Sequence, residues 1–421
     1  MRIAHIGPPV ARRGGPAGYL WQLKAAFESA PDAARHTLTF PATEPRVIVR
    51  PTPLVQRMRA RLGRAKRAVF GAPLQYRPDE ASLRRDRGLI DDMLTAAAQQ
   101  ACIESTTSLN GALHSRADVL FVHEPAVAER VLAERGARQQ VWMMLHTPMP
   151  VSLFLAWNWG VPEARWQDVA VLPDVRRWTE WELDICRHVD RLIIPCPEAV
   201  SELVRVDAAY GALRFDFVLT GATAPPAFFG GSPQELRARW RLPRDVPIGL
   251  FLGNSQPYRG LDALLASLNG VPASVPGLIA VAGPPNDSLP RHPRVRALGL
   301  VSEVADLLSA VDFVINVNRF SLFDLSTIEA AHARRPLLLH RVGGNRRFVA
   351  LGAGCEEIDD LAPATIAAGL EQMFSMTPAH RAALGALSGE CYEQHLTPAD
   401  LWARHVALYD VAVAGLVSPT P

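Results

Sequence analysis

The sequence predicts an α/β protein made of two Rossmann-like, doubly wound domains that face a cleft. Short apolar runs that end at Gly, Pro or His recur along the chain, and a helical pattern follows each of them. That alternation is typical of a parallel sheet covered by helices on both faces. With 421 residues, of which 48% are apolar, the chain is also too long for one ordinary core. We therefore expect two cores.

The first half of the chain predicts one sheet. Residues 2–6 form the first apolar run, a turn rich in Gly and Pro follows, and Leu20, Leu23 and Phe27 then recur at helical spacing. Further apolar runs predict buried strands at residues 119–122, 141–145 and 191–194.

A break in the pattern separates the two halves. Prolines and glycines interrupt the periodicity after Thr223, around a short charged helix predicted at residues 235–240. More strands are predicted behind this break, at residues 248–252, 278–282, 313–316 and 336–339. We expect domains at 1–225 and 226–395, and a final helix within 396–421 that packs back on the first domain.

Composition argues against several classes of function. The formal net charge is only +2, which gives no field for a polyanion, so no nucleic-acid partner is expected. The five cysteines are scattered without a CxxC pair, which argues against a metal site or a disulfide framework. No apolar run has the length of a signal peptide or a membrane span, and we expect a cytoplasmic protein.

One basic stretch departs from this balance. Between Arg46 and Arg67 arginines and one lysine recur without any acidic residue, and apolar side chains are interleaved with them. Such a run fits a solvated helix face, and it fits equally a helix that rests on anionic lipid headgroups. The second reading would make the protein peripheral at the inner membrane face.

Ligands of open α/β sheets bind at the carboxyl ends of the strands, where loops and helix N-termini present free backbone N–H groups. Small and polar residues do follow the predicted strands. In the order of the chain they are Gly14, Gly15, His123, Glu124, His146, Gly253 and Arg259. Taken singly, each also fits a structural role in a turn or at a strand end.

The segment 323–330, Phe-Asp-Leu-Ser-Thr-Ile-Glu-Ala, carries a specific resemblance. Together with Arg335, Pro336 and the turn Gly343-Gly344-Asn345, it resembles in order and spacing the donor-binding signature of retaining, family-4-type glycosyltransferases with the GT-B architecture. The resemblance implies that loop amides hold the phosphates of a nucleotide sugar and that Glu329 accepts hydrogen bonds from the ribose. The donor-binding residues it implies are Gly14, Gly15, Gly253, Asn254, Ser321, Asp324, Leu325, Ser326, Thr327 and Gly344.

Segments 251–260, 118–125 and 143–148 are similar to other parts of the same family. The resemblance implies that Arg259 neutralises the departing diphosphate and that His146 lies at the transferred sugar, so these two residues join Glu329 as catalytic candidates. His123, Glu124 and Trp159 are candidates for contact with the sugar or the acceptor. Aromatic faces such as that of Trp159 stack on sugar rings, but packing of the first domain is the simpler explanation, and acceptor contact is the secondary hypothesis.

The sequence departs from the family pattern at three positions. Ser321 stands where the family has its first glutamate, Asp324 where it has a glycine, and Asn254 where it has an arginine. A serine bonds a sugar hydroxyl more weakly than a carboxylate does, and the loss of one arginine weakens the phosphate site. Nearby arginines that could supply a substitute charge are Arg319, Arg346 and Arg347.

The function predicted on this basis is transfer of a sugar from a UDP-, GDP- or ADP-linked donor to a glycan, lipid-linked or small-molecule acceptor, in cell-surface polysaccharide or glycoconjugate synthesis. No Asp-x-Asp pair occurs, so metal-independent transfer without a cofactor is expected, and the resemblance implies retention at the anomeric carbon. A non-catalytic binding or scaffold protein, and a nucleotide-sugar epimerase of the same architecture, are the alternatives.

Overall fold

The computed structural model describes residues 1–12, 14–31, 35–42, 87–158, 170–285 and 289–417. The basic stretch between Arg46 and Arg67 lies outside these ranges. Within them, the strands form two six-stranded sheets in which every pairing is parallel. The predicted α/β class with two Rossmann-like domains is confirmed.

The first sheet has the strand order β2-β1-β3-β4-β5-β6. Its central strands are buried on both faces, as expected where helices cover both sides of a parallel sheet. Its strands are β1 (Arg2–Ile6), β2 (Thr37–Thr39), β3 (Val119–Val122), β4 (Gln140–Met144), β5 (Arg191–Ile194) and β6 (Phe215–Phe217).

The second sheet has the order β12-β11-β10-β7-β8-β9. The apolar runs predicted in the second half form its interior. Its strands are β7 (Ile248–Leu252), β8 (Leu278–Ala282), β9 (Val295–Gly299), β10 (Phe313–Asn316), β11 (Leu337–His340) and β12 (Cys355–Ile358).

Helices connect the strands, and a proline in the first turn opens many of them, because its missing N–H has no helical partner at that position. Helices of the first half are α1 (Gly15–Ser29), α2 (Arg87–Leu113), α3 (Pro125–Glu134), α4 (Val151–Asn158), α5 (Pro173–His188) and α6 (Pro197–Val206). Those of the second half are α7 (Pro233–Arg239), α8 (Leu261–Ser267), α9 (Val304–Ala310), α10 (Leu325–His332), α11 (Gly343–Ala350), α12 (Pro363–Ser375), α13 (Pro378–His395) and α14 (Pro398–Val417). No helix in the described ranges has the length and apolarity needed to cross a bilayer.

The last helix, α14, packs on the first sheet. Its Leu401, Trp402 and Tyr409 are buried in one cluster with Leu23 of α1 and Trp142 of β4. The chain therefore crosses between the two sheets twice, once before α7 and once before α14.

The two crossings touch at a glycine. Ala222 N–H donates to the carbonyl of Leu396 at 2.9 Å, and the Tyr392 hydroxyl donates to the carbonyl of Ala222 at 2.9 Å. A Cβ atom on Gly221 would lie 2.2 Å from the carbonyl oxygen of Thr397. Only glycine lets the crossings approach this closely.

Gly221→Ala is expected to lower the free energy of unfolding by about 2 kcal/mol or more, since two backbone segments must separate to admit the methyl group. Urea unfolding of the full chain measures the change. Gly111→Ala is the matched control, because a Cβ atom on Gly111, within α2, meets nothing within 4 Å. Its stability should be unchanged or slightly raised. Equal losses in the two variants would contradict the close contact.

Candidate active site

The loop after β1 presents nearly bare backbone at the carboxyl edge of the first sheet. Gly14 and Gly15 are exposed, and a Cβ atom on either would meet nothing within 4 Å. Gly15 has a φ of +71°, a conformation that disfavours other residues. Arg12 in the same loop donates from Nη2 to the carbonyl of Ala224 at 2.9 Å, and its guanidinium lies 4.7 Å from the Trp21 ring centroid.

Three histidines form a hydrogen-bonded row behind this loop. Nδ1 of His5 and Nε2 of His123 are 3.1 Å apart, and Nδ1 of His123 and Nε2 of His146 are 2.9 Å apart. His5 and His123 are buried, whereas His146, just beyond the end of β4, is half-buried. Both ring nitrogens of His123 are thus occupied by neighbouring histidines, and His146 is the member of the row nearest to solvent.

Burial keeps this row uncharged. It lowers the pKa of His146 to about 3 and holds the pKa values of His5 and His123 well below the usual range, with neighbouring histidines adding to the effect. His405 of α14 lies beside the row, bonded to the hydroxyls of Tyr19 (2.7 Å) and Tyr409 (2.9 Å), and burial lowers its pKa to about 3 as well. A neutral imidazole can donate or accept a hydrogen bond, and no carboxylate bonds to this row among the described residues.

Glu124 follows His123 and begins α3. Burial raises its pKa to about 7, and the charges of Glu104 and Glu182 add to the shift. Its protonated and ionised forms therefore both occur near neutral pH. Trp159, the other candidate for sugar or acceptor contact, lies outside the described residues.

In the second sheet, the loop after β7 brings Arg259 against Gly253. A Cβ atom on Gly253 would lie 3.0 Å from Nε of Arg259. Nη1 of Arg259 forms an ion pair with Oδ2 of Asp324 at 2.9 Å, and the arginine side chain is only 14% exposed. The Asn254 side chain accepts from the N–H of Gln256 at 3.1 Å, which orders the turn.

Helix α10 begins beside this ion pair. The backbone N–H groups of Leu325 and Ser326 have no partner among the described residues, as is usual for a first helical turn. Thr327 N–H donates to the carbonyl of Asp324 at 3.1 Å. Burial raises the pKa of Glu329, one turn further, to about 7, while the charge of Arg12 opposes the shift. Glu329 of the second domain and Arg12 of the first thus act on each other electrostatically.

Ser321 and Gly344 pack against each other. The Ser321 hydroxyl donates to Oδ1 of Asn345 at 3.2 Å, its carbonyl accepts from Gly344 N–H at 3.0 Å, and the residue is 1% exposed. A Cβ atom on Gly344 would lie 1.8 Å from the carbonyl oxygen of Leu322. These contacts hold the start of α11 against the loop that follows β10.

No family model matches the chain. D-inositol 3-phosphate glycosyltransferase from Kineococcus radiotolerans is 28% identical over 236 residues, which cover 49% of this chain and 53% of that protein. The protein of the same name from Acidothermus cellulolyticus is 26% identical over 296 residues, covering 61% and 65%. The chain spans about half the length of the first of these relatives.

Solved structures match over nearly the whole chain. Sucrose-phosphate synthase from Thermosynechococcus elongatus superposes with a TM-score of 0.64 at 17% identity, covering 99% of this chain and 100% of that one. HepE from Anabaena, solved with UDP-glucose, gives 0.60 at 12% identity, covering 98% and 100%. The chain has the GT-B fold. Its sequence relatives are glycosyltransferases, which confirms the resemblance drawn from the motifs.

Within this GT-B chain, the three arginines considered as substitute charges are engaged elsewhere. Arg319 forms an ion pair with both carboxylate oxygens of Asp262, at 2.7 and 2.8 Å. Arg346 donates to the Ser201 hydroxyl, and Arg347 lies 3.6 Å from Oε1 of Glu198. The last two therefore join α11 to α6 of the first domain.

Arg12 is the cleft residue that sequence reasoning missed. It lies in the Gly- and Pro-rich loop after β1, two residues before Gly14, and it is exposed. A single arginine in such a loop has no periodic signal. The only available indication was its place after a strand, at the edge where ligands bind.

The neutral histidines make stability depend on pH. The folded pKa of His405, about 3, lies below the unfolded value of about 6.5, so its contribution is present above pH 6.5 and is lost as the pH falls. We expect the stability advantage of the wild type over His405→Gln to shrink by about 2 kcal/mol between pH 7 and pH 5. Urea unfolding at each pH measures it. A gap that stays constant between the two pH values for His405→Gln would contradict the assignment.

Proposed function

We propose that this protein transfers a sugar from a nucleotide-linked donor to an acceptor, in the cleft between domains 1–225 and 226–395, with the helix in 396–421 completing the first domain. The observation that supports it most is the contact between helices that follow β5 and β11, which brings the two sheets together. Gly343 N–H, at the start of α11, donates to Oε1 of Glu202 in α6 at 2.9 Å, and the charge of Arg12 in the loop after β1 opposes the raised pKa of Glu329 in the helix after β10.

The second domain would hold the nucleotide. Glu329 would accept hydrogen bonds from the two ribose hydroxyls, because a carboxylate accepts from a cis-diol without competing for phosphate. The free N–H groups of Leu325 and Ser326 would donate to a phosphate at the N-terminus of α10, where the helix dipole favours an anion. Gly253, Asn254 and the turn of Ser321, Asp324, Thr327 and Gly344 would shape the wall around it.

The first domain would hold the sugar. His146, as a neutral imidazole, would bond a sugar hydroxyl, and His123 would act through it, since both nitrogens of His123 are already used. Glu124 with its raised pKa would offer either a donor or an acceptor near the acceptor group. Gly14 and Gly15 would let the diphosphate or the sugar approach the backbone.

The chemistry we propose is metal-independent transfer with retention. The bond from the anomeric carbon to the diphosphate oxygen breaks, a new bond forms to the acceptor oxygen, and the acceptor proton passes to the departing phosphate. Arg259, in the role expected from the family, would share its guanidinium between Asp324 and the diphosphate, since Nη1 is paired with Asp324 and the buried Nε has no hydrogen-bond partner among the described residues. Support for the proton route is the uncharged state of His146, which leaves the phosphate as the stronger base.

The acceptor we propose is a glycan, a lipid-linked saccharide or a small molecule, in the synthesis of a cell-surface polysaccharide or glycoconjugate. UDP-, GDP- and ADP-sugars are the candidate donors, and UDP-glucose is the ligand of the similar HepE structure. A cytoplasmic location at the inner membrane face, through the stretch between Arg46 and Arg67, completes the proposal.

Glu329→Gln should lose most of the donor-induced thermal stabilisation. A ligand at 100 times its Kd adds about 2.7 kcal/mol to the free energy of unfolding, which raises Tm by several degrees. We expect one of UDP, GDP or ADP, or its sugar conjugate, to do this for the wild type and much less for the variant. The exposed Glu371→Gln on α12 is the control and should respond like the wild type. Stabilisation by no nucleotide would contradict the proposal, and binding without sugar transfer would favour the scaffold alternative.

Donor affinity should rise with pH around neutrality. The raised pKa of Glu329, about 7, means that the carboxylate form needed by the ribose is scarce below pH 7. A nucleotide sugar should therefore bind about tenfold more weakly at pH 6 than at pH 8. Calorimetric titration with the identified donor measures this, since its diphosphate diester does not titrate in that range. Glu329→Gln should show no such slope, and an equal slope in both proteins would rule out Glu329 as its source.

A further inference from the structure

The wall of the cleft formed by the second domain carries arginines but little free positive charge. Arg259 is paired with Asp324 and Arg319 with Asp262. Arg341 lies near Glu357 and Asp359. Among the described residues, each of these cations thus has its own carboxylate within 4 Å. A diphosphate entering the cleft meets a wall that is close to neutral.

Asp324 is held firmly in this arrangement. Its Oδ2 accepts from Nδ2 of Asn316 at 3.0 Å, from Nδ2 of Asn318, and from Nη1 of Arg259 at 2.9 Å. Asn316 and Asn318 come from the end of β10, so the carboxylate is fixed by the sheet and by the loop after β7 together. Such a network orients the carboxylate and offsets the cost of burying Arg259.

The direction of the Asp324 carboxylate is unusual for its position. Asp324 is the N-cap residue of α10, where an aspartate side chain commonly accepts from the second or third N–H of the helix. Here the side chain makes no capping bond and turns to Arg259 instead. The carboxylate of Asp324 therefore lies against Arg259, the cation of the proposed phosphate site. It is next to the backbone N–H groups of Leu325 and Ser326, which have no partner among the described residues.

The first domain supplies a further cation to the cleft. Arg12 is exposed, and no carboxylate lies within 4 Å of it in the part of the chain that the structure describes. It acts on Glu329 across the cleft, and its neighbours Gly14 and Gly15 leave open space beside it. Its only described hydrogen bond is to the carbonyl of Ala224, which a guanidinium can keep while it donates to a ligand.

We propose that Asp324 occupies the place of a donor phosphate on Arg259, so that Arg12 takes over the neutralisation of the leaving diphosphate. The inference rests on the proposed donor site. It makes Asp324 and Arg12 the residues that set the affinity of this site for the diphosphate. Arg259 then serves the packing of the β7 loop. The negative charge of Asp324 repels the phosphates and so lowers the affinity for nucleoside diphosphates. The cleft then favours ligands whose phosphates lie close enough to the first domain to contact Arg12.

A comparison of the affinities for nucleoside diphosphates and for the matching nucleosides separates recognition of the phosphate charge from recognition of the base and ribose. UDP, GDP, ADP, uridine, guanosine and adenosine are titrated into the wild type, Asp324→Asn and Arg12→Ala by calorimetry. We expect Asp324→Asn to bind the diphosphate at least about tenfold more tightly and Arg12→Ala at least about tenfold more weakly. Affinity for the nucleoside should not change in Asp324→Asn. In Arg12→Ala it should fall less than affinity for the diphosphate, because loss of the Arg12 charge raises the pKa of Glu329 further and reduces only the carboxylate form that the ribose needs.

Two controls accompany these variants. Asp262→Asn removes a carboxylate from another arginine pair of the same region, and Lys24→Ala removes a half-buried cation of α1 that is paired with Glu28. Neither should alter diphosphate affinity. Asp324→Asn leaves the guanidinium of Arg259 without its carboxylate partner, so thermal unfolding checks that the variant folds. The same titrations on Asp324→Gly repeat the test with the side chain removed.

The outcomes are distinct. Unchanged or weaker diphosphate binding in both folded Asp324 variants overturns the role of Asp324, and unchanged binding in Arg12→Ala overturns that of Arg12. In both cases nucleoside binding to the wild type leaves the proposed function standing. If neither nucleoside nor diphosphate binds to any of the proteins, the donor site itself is wrong and the inference fails with it.

Discussion

The pairing of parallel strands is the constraint on which the rest of this structure depends. A parallel sheet buries its strands on both faces, so polar side chains that serve a ligand must follow the strands at one edge. Ile6, Val122 and Met144 end adjacent strands of the first sheet, and the loop with Arg12, the row of histidines and Glu124 all begin there. In the second sheet, the loop after β7 and the helix after β10 likewise begin at the carboxyl ends of their strands. The two crossings at Gly221 hold these edges on one cleft.

Burial sets the electrostatics of that cleft. Desolvation lowers the pKa values of His146 and His123, which keeps both rings neutral, and it raises the pKa values of Glu124 and Glu329 to about 7. Asp324 beside Arg259 offsets the cost of burying the charge of that guanidinium.

Strands with strong apolar runs were predictable, and the others were not. Residues 119–122 and 248–252 form β3 and β7 as predicted, while β4 and β11 are displaced by one residue. The strands β2 (Thr37–Thr39) and β6 (Phe215–Phe217) escaped prediction because they are three residues long and carry polar or exposed side chains at the edges of the first sheet. Their strand state comes from pairing with a neighbour, which the local sequence does not encode.

The candidate site divides in the same way. The position of Glu329 on a helix after a strand follows from local pattern, and so does the placement of Gly14 and Gly15. The partners of Ser321 and Asp324 do not, because Asn345 and Arg259 are 24 and 65 positions away and meet them only in the folded chain. At each of the three departures from the family pattern, the substituted side chain bonds within the protein: Ser321 to Asn345, Asp324 to Arg259 and Asn254 to Gln256. Substitutions that would leave an anion site incomplete thus complete a network of internal hydrogen bonds instead, and the charge that a diphosphate needs must come from the opposite wall.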